Sequence, residues 1–203
     1  MKNIIRYIFL FASIIIVSCD KTMPPSEYVK YVENPENGLK IKREVNGVGY
    51  ILQYQPTEYC VMLEKRSFSI PLDIFKEEYN RFKGLEHYTL RIDKSAMDSL
   101  VDKLGDTSKY KKTITEYFDF KIQKDIKLIE GSDTIPCALC EVDAGLTGSY
   151  TFSLGFPNKN NEPQSAQKSD KIILYQNKFL NTGNVILCVK GKDVKNIPAL
   201  KMM

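Results

Sequence analysis

Tryptophan is absent from this chain and histidine occurs once, at His87. Without tryptophan the chain lacks the residue most used as a sugar-stacking platform, which argues against carbohydrate binding. A nucleophile–histidine–carboxylate arrangement would have to use His87, yet no serine or cysteine stands in a strand–turn–helix elbow. A histidine-based zinc site needs more ligands than one imidazole supplies. Charge of one sign is also lacking: 29 Lys+Arg stand against 25 Asp+Glu, a formal +4, so nucleic acid is not expected as the main partner. No glycine-rich loop precedes a phosphate-binding helix, because Gly145-Leu146-Thr147-Gly148 lacks both the lysine and the helix. Gly131-Ser132-Asp133 supplies too few oxygen ligands for a calcium loop. No repeat of fixed period is present.

What is present begins at the start of the chain. Lys2 and Arg6 precede an apolar run, Tyr7 to Val17. As a helix these eleven positions cover about 16 Å, too little for a hydrocarbon core of about 30 Å. The layout is that of a cleaved secretion signal. Its ending, Ile16-Val17-Ser18-Cys19, resembles the lipobox of bacterial lipoproteins, with isoleucine where leucine is more usual. The resemblance implies that Cys19 is lipidated and becomes the new N-terminus. The expected organisation is a signal peptide over 1–18, the lipidated cysteine and a short tether over 19–26, and one globular domain over 27–203. Removing residues 1–18 leaves 185 residues, enough for one domain with a substantial core.

Four cysteines remain: Cys60, Cys137, Cys140 and Cys188. They allow three pairings, and their redox state stays open. Thr134 to Val142 reads as one strand, which would put Cys137 and Cys140 on opposite faces, about 10 Å apart. A direct bridge needs Cα atoms within about 7 Å. A redox pair also wants a helix N-terminus and a zinc site a second pair. Buried structural thiols are the expectation.

The chain alternates short helical and extended patterns. Helices are expected over Glu27–Glu33 with Ser26 as cap, over Glu58–Lys65 with Thr57 as cap, over Leu72–Phe82 and over Ala96–Leu104. Leu39–Val45 and Val48–Gln55 flank Asn46-Gly47, a type I′ hairpin signal that puts Val48, Tyr50, Leu52 and Tyr54 on one face. Further strands are expected at His87–Ile92, Tyr117–Ile122, Lys124–Glu130 paired with Thr134–Val142, a Tyr150–Phe156 stretch, Lys171–Gln176 and Val185–Lys190. Pro157 to Asp170, rich in Asn, Gln, Lys and Ser, reads as one long loop. The fold class is α+β: a mostly antiparallel, sandwich-like sheet with two to four short helices packed on it.

The carboxylates include Glu77 and Glu78, neighbours on a helix, and Asp98 and Asp102 on one helical face. Solvated helix faces account for both. Tyr110-Lys111-Lys112 and Tyr117-Phe118 read as ordinary sheet residues at this net charge.

The stretches Tyr28–Leu39, Gln53–Tyr59, Gln123–Ile126, Asp133–Cys137 and Asn196–Pro198 resemble those of uncharacterised lipoproteins from Bacteroidota. The resemblance implies a cell-envelope location, with the outer membrane favoured, and brings no activity, substrate or site. The function expected is a non-enzymatic binding or scaffold module, held at the membrane through Cys19 and facing an envelope protein partner. No catalytic residue, cofactor or metal ligand is assigned. The alternatives are a carboxylate- or metal-dependent envelope hydrolase, and a carrier of a lipid or small ligand on the aromatic sheet face.

Overall fold

The computed structural model describes residues 22–93, 107–143, 149–158, 169–177 and 182–202. Cys19, the helix expected over 96–104, Gly145–Gly148 and residues 159–168 of the long loop lie outside the described residues. The elements run β1 (Thr22–Met23), α1 (Pro25–Glu33), β2 (Lys40–Val45), β3 (Val48–Gln55), α2 (Thr57–Lys65), α3 (Leu72–Phe82) and β4 (Leu85–Asp93). They continue with α4 (Thr107–Phe120), β5 (Ile126–Glu130), β6 (Asp133–Pro136), β7 (Leu139–Asp143), β8 (Ser149–Pro157), β9 (Lys171–Gln176), β10 (Asn184–Val189), α5 (Gly191–Lys195) and β11 (Ala199–Leu200).

Two antiparallel sheets carry the core, as the α+β reading anticipated. One has the order β2-β3-β4-β8-β7 and the other β10-β9-β5-β6. Alternation explains both. In β3, Val48, Tyr50, Leu52 and Tyr54 are fully buried, and Tyr88, Leu90 and Ile92 of β4 match them. Ile41, Leu52, Leu90, Phe152 and Val142 lie abreast across five strands. In the second sheet Leu187, Ile173, Leu128 and Ile135 form the facing row. The two inner faces share one hydrophobic core. Tyr50 meets Tyr175 edge-on across it at 6.4 Å, and the Tyr50 hydroxyl accepts from Asn177 Nδ2 at 3.0 Å. The β2–β3 turn has φ of 51° at Asn46 and 79° at Gly47, as a type I′ hairpin requires.

Several boundaries differ from expectation, each for a local reason. Tyr117–Ile122 is not a strand. It ends α4 and enters a 3-10 turn over Ile122–Asp125. A strand would bury Phe118, Phe120 and Ile122 together, yet Phe120 is 79% exposed while Phe118 and Ile122, four apart, are buried. Ser26 and Thr57 do not cap their helices. Both lie inside the first turn, behind Pro24 and Pro56. Part of the stretch expected as a tether carries secondary structure: Thr22–Met23 pairs in parallel with Ala199–Leu200 and the helix begins at Pro25. Thr134–Val142 is not one strand either. Pro136 has no N–H to continue a ladder, and after it the chain leaves the second sheet to join the first as β7.

Candidate functional site

The acids that converge among the described residues do so around one lysine. Lys171 Nζ, with no exposed surface, lies 2.8 Å from Glu86 Oε1 and 2.8 Å from Glu130 Oε1. Glu86 comes from β4 of the first sheet; Glu130 and Lys171 are cross-strand neighbours in the second. Tyr88 donates to Glu86 Oε2 at 2.9 Å, and Ser169 donates to Glu130 Oε1 at 2.8 Å. A buried ammonium is tolerated only when paired and hydrogen-bonded. The cluster therefore fastens one sheet to the other rather than presenting a reactive pair to solvent. Burial, with the nearby Glu86 charge, holds the Tyr54 and Tyr88 phenols well above their ordinary pKa. Glu58 lies deep too; its carboxyl is raised by burial and accepts a hydrogen bond from Tyr28.

His87 is half-buried, its Nε2 lies 3.0 Å from the Phe82 carbonyl oxygen, and its ring meets Phe82 edge-on. Burial lowers its pKa, outweighing that hydrogen bond and the Glu86 charge. Glu78 is spent on Lys65 and Arg81. Asp98 and Asp102 lie outside the described residues. No cluster of three or more His, Cys, Asp or Glu side chains placed to hold a metal ion occurs among the described residues.

The thiols divide into two kinds. Cys60 is buried, donates to the Gln55 carbonyl at 3.7 Å, and is pushed up to about 12 by burial first and the Glu58 charge second. Cys188 is half-buried beside Asp170. Cys137 and Cys140 contradict the opposite-faces expectation. The break after Pro136 turns Cys137 into the core, where its Sγ lies 2.9 Å from the Leu139 carbonyl oxygen. Cys140 lies opposite Leu154 in the row that includes Tyr88 and Tyr54, and so lines the same interior. Cys137 Sγ also lies 3.8 Å from the Gly155 carbonyl oxygen; the Cys140 thiol lowers the Cys137 pKa, and the Cys137 thiol together with burial raises that of Cys140.

An apolar corner completes the inventory. Between α2 and α3 a cleft of about 320 Å³, open to solvent, is lined by Pro25, Met62, Phe68, Ile70, Leu200 and Met202. Phe68 on this lining is 53% exposed, and Leu63 of α2 with Leu72 and Ile74 of α3 are 40 to 48% exposed. Leu200 is the β11 residue that pairs with Met23 of β1. The corner therefore adjoins the point where the chain arrives from residue 19. No helix among the described residues is long and apolar enough to cross a membrane.

Sequence reasoning placed none of these assemblies. Two carried a signal that could have been read. Lys171 stands in phase with Ile173 and Tyr175, as Glu86 does with Tyr88 and Leu90, so charge falls on the buried stripe of both strands. Pro136 directly before Cys137 marks a strand end. The corner joins residues far apart in sequence and had no such mark.

No family model matches the chain, and no curated protein matches it. Among solved structures, a crystal structure of a protein of unknown function from Burkholderia pseudomallei K96243 is similar at 8% identity and a TM-score of 0.40, covering 89% of this chain and 96% of that one.

Proposed function

We propose that this chain is a lipid-anchored cell-envelope protein of the outer membrane, a binding or scaffold module held through Cys19 with its α2–α3 corner against the bilayer. The leader and the lipobox-like Ile16–Cys19 motivate the anchor. The observation that carries the orientation is the seating of β1. Thr22 is already paired with Ala199, so Cys19 lies within about 10 Å of the fold along an extended chain. The first element it reaches shares Leu200 with the apolar cleft. A multiply acylated cysteine holds such a domain essentially permanently, at about 0.8 kcal/mol per buried methylene. Phe68, Leu72 and Ile74 then meet an apolar phase rather than water, which suits exposed hydrophobic side chains carried on α3 and the loop before it.

Metabolic labelling with a fatty-acid probe tests the reading. The wild type should carry label, lack residues 1–18 and fractionate with outer membrane. Cys19→Ala should carry none. Mature protein that retains Met1, or label undiminished in Cys19→Ala, would overturn it.

A further inference from the structure

We propose that the cleft between α2 and α3 is a seat for one acyl chain of the lipid on Cys19 of the same molecule, filled while the protein is in water and vacated when the corner meets a bilayer. The proposal rests on the lipid anchor proposed above and adds the place where a tail goes. No charged side chain lines the cleft. Met62 and Phe75 give it buried surface, and Phe68 gives it an exposed flank. Such walls offer nothing to a polar headgroup and suit a hydrocarbon chain. At about 320 Å³ the cleft is near the lower end of small-molecule sites, which run to about 1,000 Å³. It therefore takes one slender chain rather than a bulky ring system. Met62 and Met202 help, because unbranched thioether side chains fit irregular apolar shapes.

Position selects which tail. Pro25, Leu200 and Met202 all belong to the lining, so the paired β1 and β11 border the cleft. Met23 lies beside Leu200, and from Met23 back to Cys19 is four residues, at most about 14 Å of extended chain. One leaflet of a hydrocarbon core of about 30 Å is about 15 Å deep, and that depth is the reach of one acyl chain. A tail on Cys19 therefore reaches the Leu200 end of the cleft even at the longest separation the backbone allows. A group tied this closely is presented at a millimolar effective concentration. A lipid from another molecule has no such advantage.

The surrounding medium sets when the seat is filled. In water, every methylene that enters the cleft leaves an aqueous shell, which favours seating. In a bilayer the tail already lies among hydrocarbon as apolar as the side chains of the cleft, so seating gains nothing. The medium thus shifts a two-state equilibrium through its different interactions with the seated and the free tail. As the corner docks, Phe68 and Met202 exchange their own tail for bilayer hydrocarbon and stay covered throughout.

The test is photocrosslinking of the full chain, expressed in cells fed a diazirine-bearing fatty acid, purified, and moved into a fluorinated surfactant whose tails mix poorly with hydrocarbon. Irradiation, digestion and mass analysis should show the Cys19 peptide joined through its lipid to peptides that hold Met62, Phe68 or Met202. A mixture of isotopically light and heavy chains should give light–light and heavy–heavy products alone. On phosphatidylethanolamine vesicles the same link should fall at least about fivefold. Ser69→Glu puts a charge on an exposed part of the lining. It should lose the link in surfactant while keeping its lipid label and its circular dichroism. Links that fall elsewhere on a labelled chain, corner peptides joined to free phospholipid, light–heavy products, or a link equally strong on vesicles would each overturn the seat and leave the anchor standing. A chain with no label on Cys19 would overturn anchor and seat together. The wild-type arms decide the matter even if Ser69→Glu fails to fold.

Discussion

The interior between the sheets and the corner between α2 and α3 handle the same problem in opposite ways. Around Lys171, charge lies buried in an apolar core and is matched atom for atom by Glu86, Glu130, Tyr88 and Ser169. At the corner, apolar side chains stand in solvent with charged neighbours such as Lys65, which ends α2, and Arg66 just after it. The first arrangement can tolerate little change, because each partner removed strands another. The second contributes little to folding, because its side chains are only partly packed. Paired buried charge and exposed apolar surface are thus kept in different parts of the molecule.

Breaking the interior should produce the largest effect. Lys171→Met leaves two carboxylates facing each other in the core and should cost about 3–5 kcal/mol in urea unfolding. The companion Lys171→Met/Glu86→Leu/Glu130→Leu should recover most of that loss, since well-packed apolar replacements of buried ion groups are often neutral. Failure of the triple variant to recover would mean the cluster specifies the sheet pairing itself. Next in size is Gly155→Ala on β8. A Cβ there would stand 2.9 Å from Leu85 Cδ1 and 3.1 Å from Leu139 Cβ. Overpacking of this kind costs about 1–3 kcal/mol, and the thermal midpoint should fall accordingly.

pH should sharpen the contrast with smaller effects. His87 titrates below its ordinary value of 6.5 in the folded chain, so the unfolded chain binds the proton first. Stability should decline as pH falls through about 6.5, and His87→Gln should flatten that slope. Glu58 behaves oppositely. Its folded carboxyl titrates above 4.5, so its contribution is full below about 4.5 and is lost as pH rises through the raised value. Glu58→Gln should remove that loss. The smallest effect on folding is expected at the corner. Phe68→Ala and Leu72→Ala should each change unfolding free energy by no more than about 0.5 kcal/mol. On vesicles, the lipidated wild type should nevertheless gain hydrogen-exchange protection over residues 62–75, and the two variants should lose that gain. Unchanged protection would separate the corner from the membrane.

Strands whose burial alternates were legible because period two is written in consecutive residues. The hairpin through Asn46-Gly47 and the faces of β3, β4 and β9 are cases of it. So was α3, where Phe75 and Tyr79 stack four residues apart. Tyr117–Ile122 misled because three aromatics in four positions carry strand propensity, while the deciding contact, Phe118 stacked on Tyr150 at 4.9 Å, comes from a distant strand. The thiol pair misled for a related reason: one proline changed which sheet the next residues join. The apolar corner could not be read at all. Pro25, Met62, Phe68 and Leu200 have no shared period, and only the closed fold gathers them.

The clasp between Thr22–Met23 and Ala199–Leu200 has a consequence for how the molecule matures. Its halves are almost a full chain length apart, and Lys201 N–H adds a bond to the Met23 carbonyl at 2.8 Å. Contacts so remote in sequence close late. Synthesis delivers Thr22–Met23 well before Ala199–Leu200, so the earlier strand must wait, unpaired, until its mate has emerged. Any chain lacking Ala199–Leu200 would leave that strand without its ladder.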